Sequence, residues 1–418
     1  MSSAFAFPQG GRSKRELIDQ LGRFRSSGAD WRGGRVPLFV FHADDAVEDV
    51  SREAFNMFFS ENAQAAAAFP AIEQMAGEVT RAALGLMSAP DGADGIFTSG
   101  GTESIFLAVH CARQSARASG RGNPVRHNIV IPRTGHPAFD KAARYLDLTV
   151  RRTAIGEGFR ADLSAMQAAA DEDTMLIVGS APGFPHGVFD PLEEIAEFAA
   201  RTGIWMHVDA CVGGYLAPFV SRLGYPVPDF DFRLPGVRSI SADLHKYAYT
   251  AKPASTVLFR SGEEARLCEF VFSDWPRGSY RSRTFSGSRP AGAVASAWAV
   301  LNFLGAEGYL RHARTVMRTR DRLIEGIGSI GRLQVQGAPE LGLFSYASGE
   351  LDIHLVGDGL EDRGWFVARN AEPPSLQFLA MPVHETIVDA YLADLADAAQ
   401  AAMHAGKAAR PRNATVIY

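Results

Sequence analysis

Residues 204–214 read IWMHVDACVGG, an apolar run that ends on a carboxylate and then turns on two glycines. A strand buried on both faces shows this near-continuous apolar pattern, whereas a half-solvated strand alternates. Outward from it, further short runs share the character: GIFTSG at 95–100, NIVIP at 128–132, LTVRRTAI at 148–155, MLIVGSAP at 175–182, RSISADLHK at 238–246 and STVLFRS at 255–261. Helical patterns at 103–118, 137–146, 162–170 and 191–202 separate them. Strands alternating with helices predict an α/β domain built on a largely parallel sheet. In such sheets ligands bind beyond the C-terminal ends of the strands, so the residues after each run are where chemistry is expected.

The flanks are different. An amphipathic helix over 12–25 and helical patterns at 46–61 and 71–87 precede the sheet. From about residue 296 a long helical stretch leads to weaker strand candidates at 332–336, 342–347 and 351–355, and a helix at about 384–404 follows. The expected division is an N-terminal helical arm (1–70), a large α/β domain (71–295) and a smaller α+β domain (296–418), with 406–418 as a tail. The chain's 418 residues suit such a division at roughly 100–200 residues per domain. Lys plus Arg (42) against Asp plus Glu (47) leaves a net charge of −5, which argues against a nucleic-acid partner. Nothing approaches a charge-free apolar stretch of about 18 residues, so no membrane span is expected. The N-terminus, MSSAFAFPQGGRSKRE, turns polar too early for a signal peptide. Three scattered cysteines, Cys111, Cys211 and Cys268, suit reduced thiols in a cytoplasmic protein. The 41 glycines and 22 prolines pose a question: loose linkers, or tight turns that carry chemistry.

Motifs after the strands answer it. SGGTES (99–104) places two glycines at a strand-to-helix junction, where free N–H groups and the helix dipole suit a phosphate and Thr102 can cap. It is neither a Walker A loop nor GxGxxG, and an ordinary capped turn would look similar. In HVDACVGG (207–214), Asp209 ends an apolar strand, where a carboxylate needs a cationic partner such as a protonated pyridinium nitrogen. Cys211 would lie beside whatever Asp209 binds, and His207 reads more readily as packed than as a ligand. In SADLHKYAYTAK (241–252), Lys246 follows a strand among small and aromatic residues; desolvation lowers a lysine's pKa and favours Schiff-base formation. His136, in TGHPAFDKAA (134–143), could stack on a flat ring or cap the next helix. Together these demand one ligand that is flat, phosphorylated, basic at a ring nitrogen and reactive at an aldehyde: pyridoxal 5'-phosphate. No metal site is expected.

These residues also resemble the sphingosine-1-phosphate lyases, fold-type I pyridoxal phosphate enzymes near the group II amino-acid decarboxylases. The resemblance rests on SGGTES, HVDACVGGYLAPF, SISADLHKYAYTAKPASTVLFRS and DWPRGSYRSRTFSGSRPAG (274–292), with SAWAVLNFLGAEGYL, RGW (363–365) and PSLQF (374–378), and it spans about residues 14 to 400. HKY, with Lys252 six residues after Lys246, favours the lyases over the decarboxylases, which typically carry HKW. The resemblance implies a fold-type I large domain with a mainly parallel seven-stranded sheet flanked by helices. It implies Lys246 as the Schiff-base lysine, Asp209 at the ring nitrogen and His136 stacked on the ring. Gly101, Thr102 and His245 would hold the phosphate, Ser180 and Cys211 would line the cofactor, and Gly287 and Ser288 would reach it from a second subunit. A homodimer with sites at the interface follows. Relatives with a membrane anchor carry it before the region matched here, so a cytoplasmic enzyme is the expectation.

Departures bear on substrate. Where the lyases carry an NPLHPDIFP-like segment, this chain has NAQAAAAFP (62–70): Asn62, Phe69 and Pro70 remain, while Ala65 and Ala67 replace a His and an Asp. The 274–292 loop carries Arg277, Arg281 and Arg283, either a solvated basic loop or a grip on a substrate anion. With Asn62 and His186 they are the substrate-contact candidates. The expected reaction is retro-aldol cleavage of a β-hydroxy amine, plausibly phosphorylated, to an aldehyde and an amine. Lys246 and Lys252 are candidate proton carriers, and Tyr249 and Tyr280 candidate hydroxyl donors, whereas Tyr247 reads as packing. The alternative is an amino-acid decarboxylase with the same cofactor; a non-catalytic scaffold is disfavoured by the intact Lys246, Asp209 and SGGTES.

Overall fold

The computed structural model describes residues 7–65 and 67–405. The tail reading of 406–418 and one residue of the alanine run therefore lie outside the described residues. Three helices come first: α1 (Lys14–Ser26), α2 (Asp45–Met57) and α3 (Pro70–Leu86). The chain then alternates through β1 (Asp94–Thr98), α4 (Gly101–Ala118), β2 (Asn128–Pro132), α5 (Ala138–Tyr145), β3 (Thr149–Thr153), α6 (Leu163–Ala169), β4 (Thr174–Ser180) and α7 (Leu192–Thr202). It continues through β5 (Trp205–Asp209), α8 (Ala217–Arg222), β6 (Val237–Ala242), β7 (Ser255–Phe259) and α9 (Gly262–Arg266). An arm made of β8 (Phe270–Phe272) and β9 (Tyr280–Ser282) leads to α10 (Ala291–Ser329). The last part holds β10 (Gln334–Val335), β11 (Leu343–Ala347), α11 (Ile353–Glu361), β12 (Ala368–Ala371), β13 (Pro374–Leu379) and α12 (Val388–Ala405).

Seven strands form one sheet in the order β1-β7-β6-β5-β4-β2-β3. Only β7 runs against its neighbours; β6, β5, β4, β2 and β3 pair in parallel. Side-chain alternation divides each strand between two cores: Ile177, Met206 and Ile240 pack on one side, Leu176, Val178 and Trp205 on the other. Burial of each such side chain contributes about 1.5–3 kcal/mol, and burial on both faces explains why these runs read as unbroken apolar segments. The register sets Ser180 beside Asp209 and Asp209 beside Ser241, one row at the C-terminal edge of the sheet.

A smaller antiparallel sheet, β10-β11-β13-β12, is covered by α11, with α12 packed on α11 and reaching the sheet through Tyr391, which meets Phe378 and Tyr346. Here the structure corrects the expectation of a strand at 351–355. Asp352 accepts a hydrogen bond from the N–H of His354 and starts α11, which buries Ile353, Val356 and Leu360 at helical spacing. Helix α10 begins at Ala291, so the expected division at 295–296 falls inside its first turns, and Gly305 (φ 53°) breaks its helical conformation. Cys111 on α4 is paired with Cys268 after α9 (Cα–Cα 5.6 Å), where the sequence reading kept all three thiols separate. They are 157 residues apart, so nothing local signals the pairing. Cys211 is free and buried. Among the described residues no helix is long and apolar enough to cross a membrane.

The turn after β4 docks on the small sheet through Gly187, whose φ is +74° and where an added Cβ would lie 1.9 Å from the Leu343 carbonyl oxygen. Gly187→Ala is expected to cost at least about 3 kcal/mol in denaturant unfolding, since strain and overlap act together; an unchanged midpoint would contradict this docking.

Candidate active site

The ends of β4, β5 and β6 and the start of α4 surround a cleft of about 310 Å³ that holds Lys246, Asp209, His136, Ser180 and the Gly100–Gly101 turn. β1 delivers the turn. Gly100 adopts φ 150°, and a Cβ on Gly101 would lie 2.8 Å from Cys211 Sγ and 2.9 Å from Asp243 Oδ2, so both positions require glycine. Gly100, not Thr102, is the N-cap of α4, and no side chain caps the helix. Thr102 instead sits in the first turn, where uncapped N–H groups favour an anion. Ser104 fastens this turn to the sheet through Thr98 Oγ1 (2.6 Å) and Ser255 Oγ (2.9 Å).

Asp209 is aimed by a chain of hydrogen bonds buried in the sheet. Trp205 Nε1 donates to Ser239 Oγ (2.8 Å), and Ser239 meets His207 Nδ1 (2.8 Å). His207 Nε2 meets Ser241 Oγ (3.1 Å), and Ser241 donates to Asp209 Oδ1 (3.4 Å). The pattern assigns the Nε2–H tautomer to His207, consistent with burial holding its pKa down to about 4. His207 is thus packed and orienting, while the N–H of Cys211 donates to the same Asp209 oxygen (3.1 Å). Strand β5 stops at Asp209, so it is the following turn, not strand alternation, that brings Cys211 to the cleft.

Lys246 departs from expectation. Strand β6 ends at Ala242, and the next turn sets Asp243 Oδ2 3.0 Å from Lys246 Nζ. Burial pulls the lysine's pKa down, but Asp243, Cys211 and Asp209 outweigh it and the net shift is upward. The lysine without its cofactor is an ammonium, not the lowered amine that desolvation alone predicts. Burial raises the Asp243 carboxyl and the nearby Lys246 and His245 more than reverse that, so it ends lowered. His136 Nδ1 accepts from the N–H of Ala138 (3.1 Å) at the start of α5 while the ring lines the cleft, so capping and cofactor contact are compatible. Burial lowers its pKa.

Other sequence candidates lie outside this cleft. Lys252 donates to the carbonyl of Phe39 (2.8 Å) and, with Tyr249, lines a separate cavity of about 400 Å³ beside Trp31 and His42. His186 is buried, bonded to Ser345 Oγ (3.0 Å) and stacked on Phe159, which removes it from substrate contact in this chain. Asn62 ties down the arm instead, donating to Ser288 Oγ (3.1 Å) and accepting from Arg289 N (3.1 Å). Arg281 pairs with Glu269 (3.2 Å) and Arg283 with Asp94 (2.7 Å), while Arg277 is exposed. Tyr280 accepts from Gln64 (3.3 Å) at the arm, close to Gly287. Tyr247 donates to the carbonyl of Ala380 (2.8 Å) within the core, as packing.

Three buried acids around the cleft have no role in the sequence expectations: Asp243, Asp190 and Glu103. Asp190 accepts from the N–H groups of Ala161 and Ser180 (both 2.8 Å), and burial raises its pKa to about 6. Glu103, one residue beyond Thr102, accepts from Ser99 N (2.6 Å) and from Phe285 N (2.8 Å), linking the glycine turn to the arm. For Asp243 and Glu103 the signal is position: the one follows β6 just before Lys246, the other sits in the first turn of α4 beside Thr102. His42, Asp45 and Glu48 also cluster, but Arg32 reaches both carboxylates (3.1 and 2.5 Å), which makes the group an ion-pair network.

The pyridoxal-dependent decarboxylase conserved domain matches residues 56–347. Sphingosine-1-phosphate lyase of Arabidopsis thaliana is 38% identical over 394 residues, covering 92% of this chain and 72% of that protein. The structure of a Burkholderia pseudomallei sphingosine-1-phosphate lyase is similar at a TM-score of 0.92 and 32% identity, covering 96% of this chain and 94% of that one. Glutamate decarboxylase of Lactobacillus brevis shares the fold at a TM-score of 0.84 and 19% identity, with 95% of each chain covered. The cleft suits pyridoxal phosphate: an uncapped helix start for the phosphate, a lysine for the aldehyde and an aimed carboxylate for the ring nitrogen.

Buried histidines fix the direction of the pH response. His186, His207 and His384 are each held by burial at about 4, below the 6.5 of the unfolded chain. Between those values the unfolded chain takes up protons that the folded one refuses, so stability falls as pH falls. Asp190, raised to about 6, acts in the opposite sense but alone against three. Melting of the cofactor-free protein is expected at lower temperature at pH 5 than at pH 7; a flat profile would contradict the neutral, buried state of these rings.

Proposed function

The chain belongs to the sphingosine-1-phosphate lyase family of pyridoxal phosphate-dependent lyases, and from that membership we propose that it cleaves a phosphorylated sphingoid base, a β-hydroxy amine, into an aldehyde and an amine. The observation that carries the reading is the convergence of Lys246, Asp209, His136 and the glycine turn on one cleft.

Pyridoxal phosphate, when bound, supplies an aldehyde that captures amines and a ring that accepts the electron pair of a bond broken at Cα. Lys246 Nζ would hold that aldehyde covalently. Asp209, held by Ser241 and the Cys211 N–H, would keep the proton on the ring nitrogen. His136 would hold the ring, with Ser180 and Cys211 lining the same cleft. The N-terminal N–H groups of α4, Gly101, Thr102 and His245 would hold the phosphate. Lys246 is the one amine among the described side chains lining the cleft. Its Nζ would be the group to take the proton of the substrate's β-hydroxyl and to return one to Cα. An adjoining chamber of about 500 Å³ shares His136 and Phe184 with the cleft and leaves room for substrate outside the cofactor's space.

The proposal includes a homodimer in which Gly287 and Ser288 complete the partner's phosphate site. Neither lines the cleft of its own chain, and the arm that carries them exposes Phe270, Val271, Phe272, Trp275 and Phe285 at 47–70%. Five exposed apolar side chains carried together on one arm favour burial against a second protein surface. A cytoplasmic setting is part of the proposal and rests on composition other than the cysteines, since Cys111 and Cys268 are paired.

Purified protein is expected to be yellow and to release an aldehyde from phosphorylated sphingoid bases. Lys246→Ala should abolish both colour and turnover, and carbon dioxide release from amino acids without aldehyde formation would favour decarboxylation instead. Gly101→Ala is expected to weaken cofactor binding at least ~10-fold, because a Cβ there meets Cys211 and Asp243; unaltered cofactor affinity would place the phosphate elsewhere.

A further inference from the structure

We propose that Asp243 is a positioning residue for Lys246: its carboxylate holds the lysine as an ammonium at the edge of the cleft and sets the pH at which that amine attacks a carbonyl. The inference rests on Lys246 being the cofactor lysine. Asp243 is 3% exposed, and its Oδ2 lies 3.0 Å from Nζ. The geometry is built rather than incidental. The backbone N–H of Lys246 bonds the Asp243 carbonyl (3.2 Å) in the same turn, and the N–H of Asp243 bonds the Cys211 carbonyl (3.3 Å), which anchors that turn to the end of β5. Both carboxylate oxygens lie within 3.0 Å of where a Cβ on Gly101 would be, so the group is wedged under the glycine turn.

Several charged or titratable groups face the lysine. Asp209 and Cys211 come from the end of β5, His136 from the segment after β2, His245 from the same turn, and Lys252 from further along the loop. Of these acids, Asp243 is the one in ion-pair contact with Nζ. His245 Nε2 stands 3.8 Å from the same Asp243 oxygen and is itself pushed down by burial, which leaves the lysine as the carboxylate's cation.

The chemical consequence follows from the amine's lone pair. An ammonium has none, so Nζ must first lose one proton. The neutral amine then adds to the carbonyl carbon to form the C–N bond, and the carbonyl oxygen departs as water with the two remaining N–H protons. A carboxylate in contact stabilises the ammonium and moves this reaction to higher pH. The same contact fixes where the amine stands when it reacts.

The test uses the full chain stripped of cofactor, with pyridoxal phosphate as probe and absorbance of the lysine adduct as readout, from pH 6 to pH 9. In the wild type, capture should rise steeply with pH. In Asp243→Asn the profile should move down by at least about one pH unit, giving roughly tenfold faster capture near pH 7; Asp243→Glu should restore the wild-type profile. Merely structural damage slows capture at every pH and leaves the midpoint in place, and that result overturns the proposal. Melting of Lys246→Ala and of Asp243→Asn/Lys246→Ala gives a second reading at pH 7. The double variant should melt above the single one, because the single change leaves a buried carboxylate unpaired. A double variant melting at or below the single one overturns the pairing. Adduct formation in Lys246→Ala would instead overturn the assignment of Lys246 itself, with the melting comparison still reporting on the pair.

Discussion

Two buried carboxylates and one lysine at the ends of adjacent strands are the constraint from which the rest of the site follows. Asp209 and Asp243 stand 8% and 3% exposed, and an unpaired charge so placed is costly enough that a partner is required. Lys246 supplies a single positive charge. The register that aligns Ser180, Asp209 and Ser241 in one row is what brings these charges together, and two glycine positions on the opposite wall let the α4 turn approach them. A ligand with a cationic ring nitrogen answers the remaining carboxylate, so the protein's own charge imbalance selects for the kind of molecule the cleft receives.

The sheet beneath does more than position Asp209. The run from Trp205 through Ser239, His207 and Ser241 is a sequence of donors and acceptors with one consistent direction, laid across β5 and β6 with every member buried. A neutral imidazole in the middle is what makes it consistent, because it donates at one nitrogen and accepts at the other. Reversing the tautomer would leave the Ser239 hydroxyl without an acceptor and set two acceptors, His207 Nε2 and Asp209 Oδ1, against each other for the one Ser241 proton. The orientation of the carboxylate is thereby fixed by groups far from any substrate.

Much of this was legible in the sequence because buried parallel strands leave an unmistakable trace. The apolar runs at 128–132, 174–180 and 205–209 mark strands with ends set by glycine, proline or a polar residue. The segment at 351–355 misled because a short apolar run fits strand and helix alike; the Asp352 cap decided it. Lys246 and Asp209 could be named from type and place. Asp243 could not, since an acid three residues before a lysine resembles any solvated pair until the turn folds them inward. The roles expected of Lys252, Tyr249 and His186 depended on where loops and the small sheet come to rest, which is tertiary information that no local pattern carries. The arginines at 281 and 283 found acids, Glu269 and Asp94, outside the segment that carries them.

Glu103 gives the architecture a further property. One of its oxygens holds Ser99, at the glycine turn, and the other holds Phe285, in the arm. Turn and arm are therefore mechanically one piece: order in either is thermodynamically linked to order in the other, and whatever grips the arm also tightens the turn. Order at the start of α4 then depends on what the arm rests against, so whatever frees the arm also loosens the turn without touching a group in it.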